Sequence, residues 1–316
     1  THLGHSFPTR RSSDLMDITT KFKGIKNDVE IQNVRKAMVR DGVAMVKFIN
    51  WMKKTIKTRN ITEIEAADKI CEIRKAGENF YDLSFASISA YGANASMPHY
   101  SATEKNQATI KREGLYLLDS GAQYLDGTTD ITRTLAMGAL TKEEKTDFTL
   151  VLRGMIDLTM QRFLYGTTGS NLDIIARIPL WNAGMNFKHG TGHGVGFFLN
   201  VHEGPHRISM VPSTIKLEKG MIVSNEPGVY KDGKHGIRIE NLVTVMEDEK
   251  TQYGGQFMKF ETLTFCPIDL EAIDVLLLTY DEKAWLNNYH RTVFEKLSPY
   301  LQGEELEYLK GATVAL

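Results

Sequence analysis

Residues 188–196 read Lys-His-Gly-Thr-Gly-His-Gly-Val-Gly, with two histidines four positions apart among four glycines. On a helix that spacing would set both imidazoles on one face, as in the paired ligands of a zinc protease. Four glycines argue against a helix, because each costs about 1 kcal/mol relative to alanine. The backbone here is built for openness and close approach. What His189 and His193 each do is left open by their spacing.

Four carboxylates raise a second question. Asp119 and Asp130 lie eleven apart at the ends of apolar strands, on either arm of a predicted hairpin. Taken singly, each reads as a turn cap or a solvated charge. Glu226 follows Gly-Met-Ile-Val-Ser-Asn and precedes Pro227-Gly228, and Glu240 lies within Gly-Ile-Arg-Ile-Glu-Asn-Leu-Val-Thr-Val. Period-two alternation sets Arg238 and Glu240 on one face of that strand and Ile237 and Ile239 on the other. A carboxylate inside a core strand needs a compensating cation, since an unpaired buried charge is very costly. Arg238 in a structural salt bridge is one answer, and a metal ion is the other. Four carboxylates and an imidazole form a hard, oxygen-rich donor set, better suited to Mn2+, Co2+ or Mg2+ than a closed structural zinc site. One ion rarely needs four anionic ligands, whereas two ions sharing carboxylates would use them to activate water for hydrolysis. On residue types alone, scattered ion pairs remain the competing description.

The elements that must position these groups interleave helices and strands. Asn27 and Glu30 form a predicted capping box, followed by Ile31, Val34, Met38, Met45, Phe48 and Met52 at helical spacing. A second helix opens at Thr62 and Glu65 and runs to Gly77. A third runs from Thr141 and Glu144 through Phe163, and a fourth covers Leu172 to Trp181, with Pro179 kinking or ending it. Strands are expected at 114–119 and 129–137, joined by the turn at Asp126-Gly127, and at 221–225 and 236–245. The strand pairs read as antiparallel hairpins, which predicts an α+β fold with helices covering one side of the sheet. From about Phe257 an apolar stretch leads into a helix boxed by Thr279 and Glu282 and ending near Leu297.

Composition narrows the function classes. The chain has 316 residues, 42% hydrophobic and 24% charged, enough for a sizeable core in one large domain or two. Its 38 basic and 39 acidic residues leave a net charge of −1, so no electrostatic footprint for nucleic acid or an anionic membrane is expected. No apolar run approaches the roughly 20 residues of a transmembrane helix. Cys71 and Cys266 make no disulfide framework, which implies a reduced compartment; Cys71 reads as a small buried apolar residue on a helix. Residues 1–15 are basic, Ser-rich and without periodicity, and read as a non-native or unstructured leader without a secretory signal.

Six strings in order carry a resemblance: GANASMPHY at 92–100, LLDSGAQYLDGTTDITRT at 117–134, HGTGHGVG at 189–196, VHEGP at 201–205, EPGVY at 226–230 and GIRIEN at 236–241. Together with the order Asp119, Asp130, His193, Glu226, Glu240 and the tail strings FETLTFCPIDL and WLNNYH, the chain resembles aminopeptidase P (Xaa-Pro aminopeptidase). That family belongs to the pita-bread metallopeptidases, and the likeness is closest to its long cytosolic form. The resemblance implies a pita-bread fold, with a catalytic domain over 16–256 and a C-terminal tail over 257–316. It also implies a cytoplasmic homodimer, acting on peptides with proline at the second position. The family's N-terminal domains have no counterpart before residue 25, so the chain reads as a fragment of the longer form.

The resemblance further implies two divalent ions, Mn2+ by preference with Co2+ or Zn2+ as alternatives. Asp119 would bind one ion, His193 and Glu226 the other, and Asp130 and Glu240 would bridge. His189 would line the substrate pocket rather than ligate. His202 and His99 would stabilise the substrate carbonyl oxygen, Glu226 would shuttle a proton, and Arg238 would orient a bridging carboxylate. Tyr230 is left between shaping the site and packing, and His206 and His235 are given no role. Two rivals stand beside this reading: prolidase, which shares the ligand order but cuts dipeptides, and a non-catalytic binding module on the same fold.

Overall fold

The Asn27 box closes as the sequence implies: the Asn27 side chain accepts from the amides of Val29 and Glu30, and Glu30 returns to the Asn27 amide at 2.9 Å. It opens helix α2 (Asp28–Thr55), after a short α1 (Ile18–Gly24). All six apolar residues expected on its inner face are buried. The structure, a computed structural model, describes residues 17–316, so the expected leader at 1–15 lies outside the described residues. Helix α3 (Glu63–Lys75) is capped by Thr62, but its box is half-formed because the Glu65 carboxylate pairs with Arg59. Helix α4 (Lys142–Met160) keeps its full box yet stops short of Phe163, which pairs with Met258 at a sheet edge. Helix α5 (Gly169–Asn182) passes through Pro179 and ends one turn later. Among the described residues, no helix is long and apolar enough to cross a membrane.

The expected antiparallel pairing is present. Strand β1 (Ile88–Tyr91) pairs with β2 (Leu115–Ser120), and β2 with β3 (Ile131–Ala136), placing Asp119 opposite Thr132. The Asp126-Gly127 turn closes a separate small hairpin between β2 and β3 rather than joining them directly. Two-residue strands β4 (Gly192–His193) and β5 (Arg207–Ile208) pair with each other, His193 facing Arg207. The strand expected over 236–245 divides. Strand β6 (Ile222–Asn225) pairs with β9 (Asn241–Thr251), whereas β7 (Gly228–Lys231) pairs with β8 (His235–Arg238), so the chain changes sheets at 239–240. Strand β10 (Gly255–Thr262) follows β9 in the same sheet.

That crossing is held by Arg133. Buried in β3, it donates to the carbonyls of Thr132, Glu240, Cys266 and Pro267, and to the Tyr289 hydroxyl. One guanidinium thus fixes the backbone at Glu240 and ties it to helix α6 (Tyr280–Leu297), which the Thr279 box opens as expected. The inner face of α6 joins the main core through Leu286, Val293 and Leu297, while Leu276 stays 92% exposed. A last helix, α7 (Gly303–Ala312), packs Leu309 into the same core. Cys266 is buried; Cys71 is only half-buried, because it sits at the edge of the face that α3 turns inward.

Candidate metal centre and active site

Side chains from five separate segments converge on one cavity of about 500 Å3. Asp119 comes from β2, Asp130 from the residue before β3, His193 from β4, Glu226 from the residue after β6, and Glu240 from the crossing. His99, His189, His202 and Arg238 line the same cavity, so the structure brings together every site residue singled out from the sequence.

The donor atoms of Asp130, His193 and Glu240 all lie within 4.8 Å of one another. His193 Nε2 stands 3.4 Å from Asp130 Oδ2 and 3.3 Å from Glu226 Oε1. One oxygen each of Asp119, Asp130 and Glu240 is buried without a hydrogen-bond partner. Orphaned buried acceptors are rare because desolvation is uncompensated. Three of them beside an imidazole fit divalent cations, which prefer such hard, anionic donors. Burial, and then the charges of neighbouring carboxylates, raises the Asp130 and Glu240 carboxyls well above their usual range.

The two histidines of the glycine loop differ in which nitrogens are free. His193 Nδ1 donates to the Gly194 carbonyl at 2.9 Å, leaving Nε2 toward the carboxylates. His189 has neither nitrogen free: Nδ1 donates to Gly190 O at 2.7 Å, and Nε2 accepts from the Tyr230 hydroxyl at 2.8 Å. Helix α5 holds this loop through Arg177, which donates to the carbonyls of Phe187 and His189 at 2.7 and 3.0 Å. Gly192 allows the approach to β6, since a Cβ there would meet Ser224 O at 1.8 Å. The Ser224 hydroxyl accepts from the His193 amide and donates to Glu226 Oε1, each at 2.9 Å. The His193 and His202 rings meet edge to face, 4.2 Å between centroids. Burial lowers the pKa of both His189 and His202 below the ordinary histidine value.

Arg238 meets its expected partner only through an intermediary. Its Nη2 lies 2.5 Å from Asp119 Oδ2, and it reaches the bridging carboxylate of Glu240 through Thr132, whose hydroxyl accepts from Arg238 Nε at 3.2 Å. The reason is the change of sheet at 239–240, after which Glu240 turns to the Thr132 hydroxyl at 2.8 Å. Arg238 also donates to the Tyr230 hydroxyl at 2.7 Å, so Arg238, Tyr230 and His189 form one chain of hydrogen bonds.

Residues 32–247 match the profile of metallopeptidase family M24. The chain belongs to this family. Residues 256–316 match the C-terminal region of peptidase M24. A probable Xaa-Pro aminopeptidase P of Tuber melanosporum is 46% identical over 301 residues, covering 93% of this chain and 49% of the relative. The chain thus spans about half the length of the curated relatives it matches. A solved X-prolyl aminopeptidase of Caenorhabditis elegans, described as a cytosolic enzyme with a di-nuclear active site, superposes with a TM-score of 0.92 at 40% identity. That match covers 95% of this chain and 50% of the other. A prolidase from Pyrococcus furiosus superposes with a TM-score of 0.63 at 28% identity, over 78% of this chain and 67% of the other. The pita-bread fold expected from the sequence is therefore the fold of this M24 chain.

Three site neighbours escaped the sequence reading. The sequence leaves Tyr230 between shaping the site and packing; burial pushes its hydroxyl up to about 12, so it stays a donor to His189. Thr132 and Ser224 were not singled out. Thr132 and Thr134 follow Asp130 at period two, and that polar stripe was the available signal. Thr134 donates to the Arg238 carbonyl at 2.9 Å, and Thr132 donates to the Glu240 carboxylate at 2.8 Å. Ser224 carried no such signal.

Proposed function

We propose that this chain carries the catalytic centre of a proline-specific metallo-aminopeptidase, which hydrolyses the bond between an N-terminal residue and a proline at the second position. The observation that carries this reading is the convergence of four carboxylates on one cavity, with a His193 nitrogen left free for ligation. It is supported by 40% identity over 95% of the chain to the Caenorhabditis elegans enzyme.

Asp119, Asp130, His193, Glu226 and Glu240 would hold two divalent cations, with Asp130 and Glu240 shared. Ions of this kind, Mn2+ by donor hardness with Co2+ or Zn2+ as alternatives, supply Lewis acidity toward a carbonyl and make a water more acidic. Glu226 takes a proton from the attacking water and returns it to the leaving amine, its carboxylate oriented by the Ser224 hydroxyl. His202 and His99 donate to the substrate carbonyl oxygen as negative charge develops there. The lowered pKa of His202 keeps that ring neutral near pH 7. His189 cannot swing toward the carboxylates without breaking its bonds to Gly190 and Tyr230, so it serves as a fixed wall beside the proline. Arg238 steadies Asp119. The same reading assigns the catalytic domain to 16–256 and the tail to 257–316, a homodimeric state, a cytoplasmic setting, and neither nucleic-acid nor membrane partners.

Prolidase is the alternative, and the higher TM-score of the aminopeptidase supports the first reading. Turnover of an Xaa-Pro dipeptide is to be compared with that of an Xaa-Pro-Yaa peptide on metal-loaded protein. Preference for the longer peptide is expected. Efficient cleavage of the dipeptide alone would reverse the choice, and absence of turnover with full metal loading would favour a binding module.

A further inference from the structure

The string at 92–100 lines the cavity through Pro98 and His99, whereas its Asn94 and Tyr100 turn the opposite way, toward Glu63. Asn94 Nδ2 lies 3.1 Å from each Glu63 oxygen, and the Tyr100 hydroxyl donates to Oε2 at 2.8 Å. The same carboxylate accepts the Tyr91 amide at 2.6 Å and the Ala108 amide at 2.7 Å. Glu63 is fully buried, the first residue of α3, where unsatisfied amides and the helix dipole favour a negative charge. Burial and the bond to Glu63 raise the Tyr100 hydroxyl, keeping it a donor.

These bonds gather both ends and the middle of the segment between β1 and residue 108 onto one carboxylate. Its other side meets the active site directly. The Ala95 carbonyl packs on Gly236, where a Cβ would come within 1.7 Å, and the Pro98 carbonyl accepts from Arg238 at 3.4 Å. His99 itself is exposed in the cavity, next to the buried Tyr100. The imidazole therefore takes its position from the backbone on either side of it.

We infer that Glu63 is a positioning residue for His99, its carboxylate gathering Tyr91, Asn94, Tyr100 and Ala108 so that the 92–108 segment presents the imidazole to the substrate carbonyl. This rests on the role proposed above for His99. Glutamine at 63 keeps the shape but replaces one acceptor oxygen with a donor, which must face a donor of the segment.

The test compares wild type, Glu63→Gln, Tyr100→Phe, His99→Ala and Glu63→Gln/His99→Ala in the full chain, with metal content checked for each. A displacement of about 1 Å at a reacting group costs up to roughly 10²-fold in rate. Glu63→Gln is accordingly expected to lower kcat about 10- to 100-fold, with KM within about twofold and metal content unchanged. Because the effect passes through His99, Glu63→Gln should change kcat less than about twofold in the His99→Ala background. Tyr100→Phe, which only deletes one hydroxyl, should give a smaller loss with the same dependence on His99. The His99 ring resonance, followed by NMR, should move in both single variants while those of His235 and His290 do not. That signal stands apart from turnover: a chain with no Xaa-Pro activity would sink the functional reading and still report on His99. Equal losses with and without His99, or an unmoved His99 resonance in folded Glu63→Gln and Tyr100→Phe, would overturn the inference.

Discussion

Replacing Glu240 by Gln removes one negative charge from a buried cluster while keeping the side chain's shape and its acceptor for Thr132. The amide would occupy the position of the unpartnered oxygen, beside Asp130. With donor atoms of Asp130 and Glu240 no more than 4.8 Å apart, two like charges repel by about 3.5 kcal/mol at an effective dielectric of about 20. The metal-free protein limits this by retaining a proton, at a cost of about 1.4 kcal/mol for each pH unit above the usual carboxyl value. A carboxyl whose folded pKa is raised binds its proton more tightly in the native than in the unfolded state. Its contribution to stability is therefore present at low pH and lost as pH rises from the usual carboxyl range through the raised value. Asp130 and Glu240 are both raised, by burial first, so the metal-free protein should weaken over that window.

The difference between Glu240→Gln and wild type isolates this contribution from the other carboxylates. It should be no more than about 1 kcal/mol at pH 5 and reach roughly 3 kcal/mol in favour of the variant at pH 8. At roughly 2 °C per kcal/mol for a chain of this size, that is about 6 °C in Tm. The assay is thermal unfolding of chelator-treated protein from pH 5 to 8, repeated with excess Mn2+. Saturating ion should shrink or close this gap: wild type gains about 2.7 kcal/mol for each ion bound at a hundredfold excess over Kd, and the variant gains less. A metal-free wild type that outlasts Glu240→Gln at pH 8 by the same margin as at pH 5 would refute the crowding argument.

His193→Ala should lose close to one ion per chain by elemental analysis. His189→Ala should retain both and lose turnover by roughly 10²- to 10³-fold, as when one charge-stabilising contact is removed; the reverse pattern would exchange their roles. Arg238→Met leaves Asp119 buried without its cation, and should destabilise the metal-free protein by about 3–5 kcal/mol in denaturant unfolding, with part of the loss recovered on metal loading. The tail buries Leu286, Val293, Leu297 and Leu309 in the core and leaves Leu276 at 92% exposure; for the proposed homodimer, sedimentation over a range of concentrations should find a dimer, and a strictly monomeric chain with an ordered tail would rule it out.

What the sequence could reveal follows a physical division between side-chain type and side-chain neighbour. Glu226 and Glu240 stand out because carboxylates in or beside apolar strands need an explanation, whereas Asp119, Asp130 and His193 stay open on residue type alone and are picked out by the resemblance. The helices were legible from their caps, and Thr141 and Thr279 close the expected boxes. Arg238 reaches the bridging carboxylate of Glu240 only through Thr132 and pairs directly with Asp119. Period two places it on the polar face of its strand, but says nothing of Asp119, 119 positions away. Apolar alternation through Ile237 and Ile239 reads as one strand, although the chain leaves one sheet for another there, since both sheets bury that face equally.

The residues that hold the site in shape were hidden for the same reason. Glu63 looks like an ordinary acidic residue in a first helical turn, and Arg133 like one polar position in a strand. Each is fully buried and gathers backbone groups far from it in sequence. A ligand is recognisable by the chemistry it brings, whereas a positioning residue is defined by which groups it meets, and only the folded chain decides that. Mutations at Glu63 and Arg133 should accordingly disturb catalysis through the geometry of His99 and Glu240, without changing any group that touches substrate or metal.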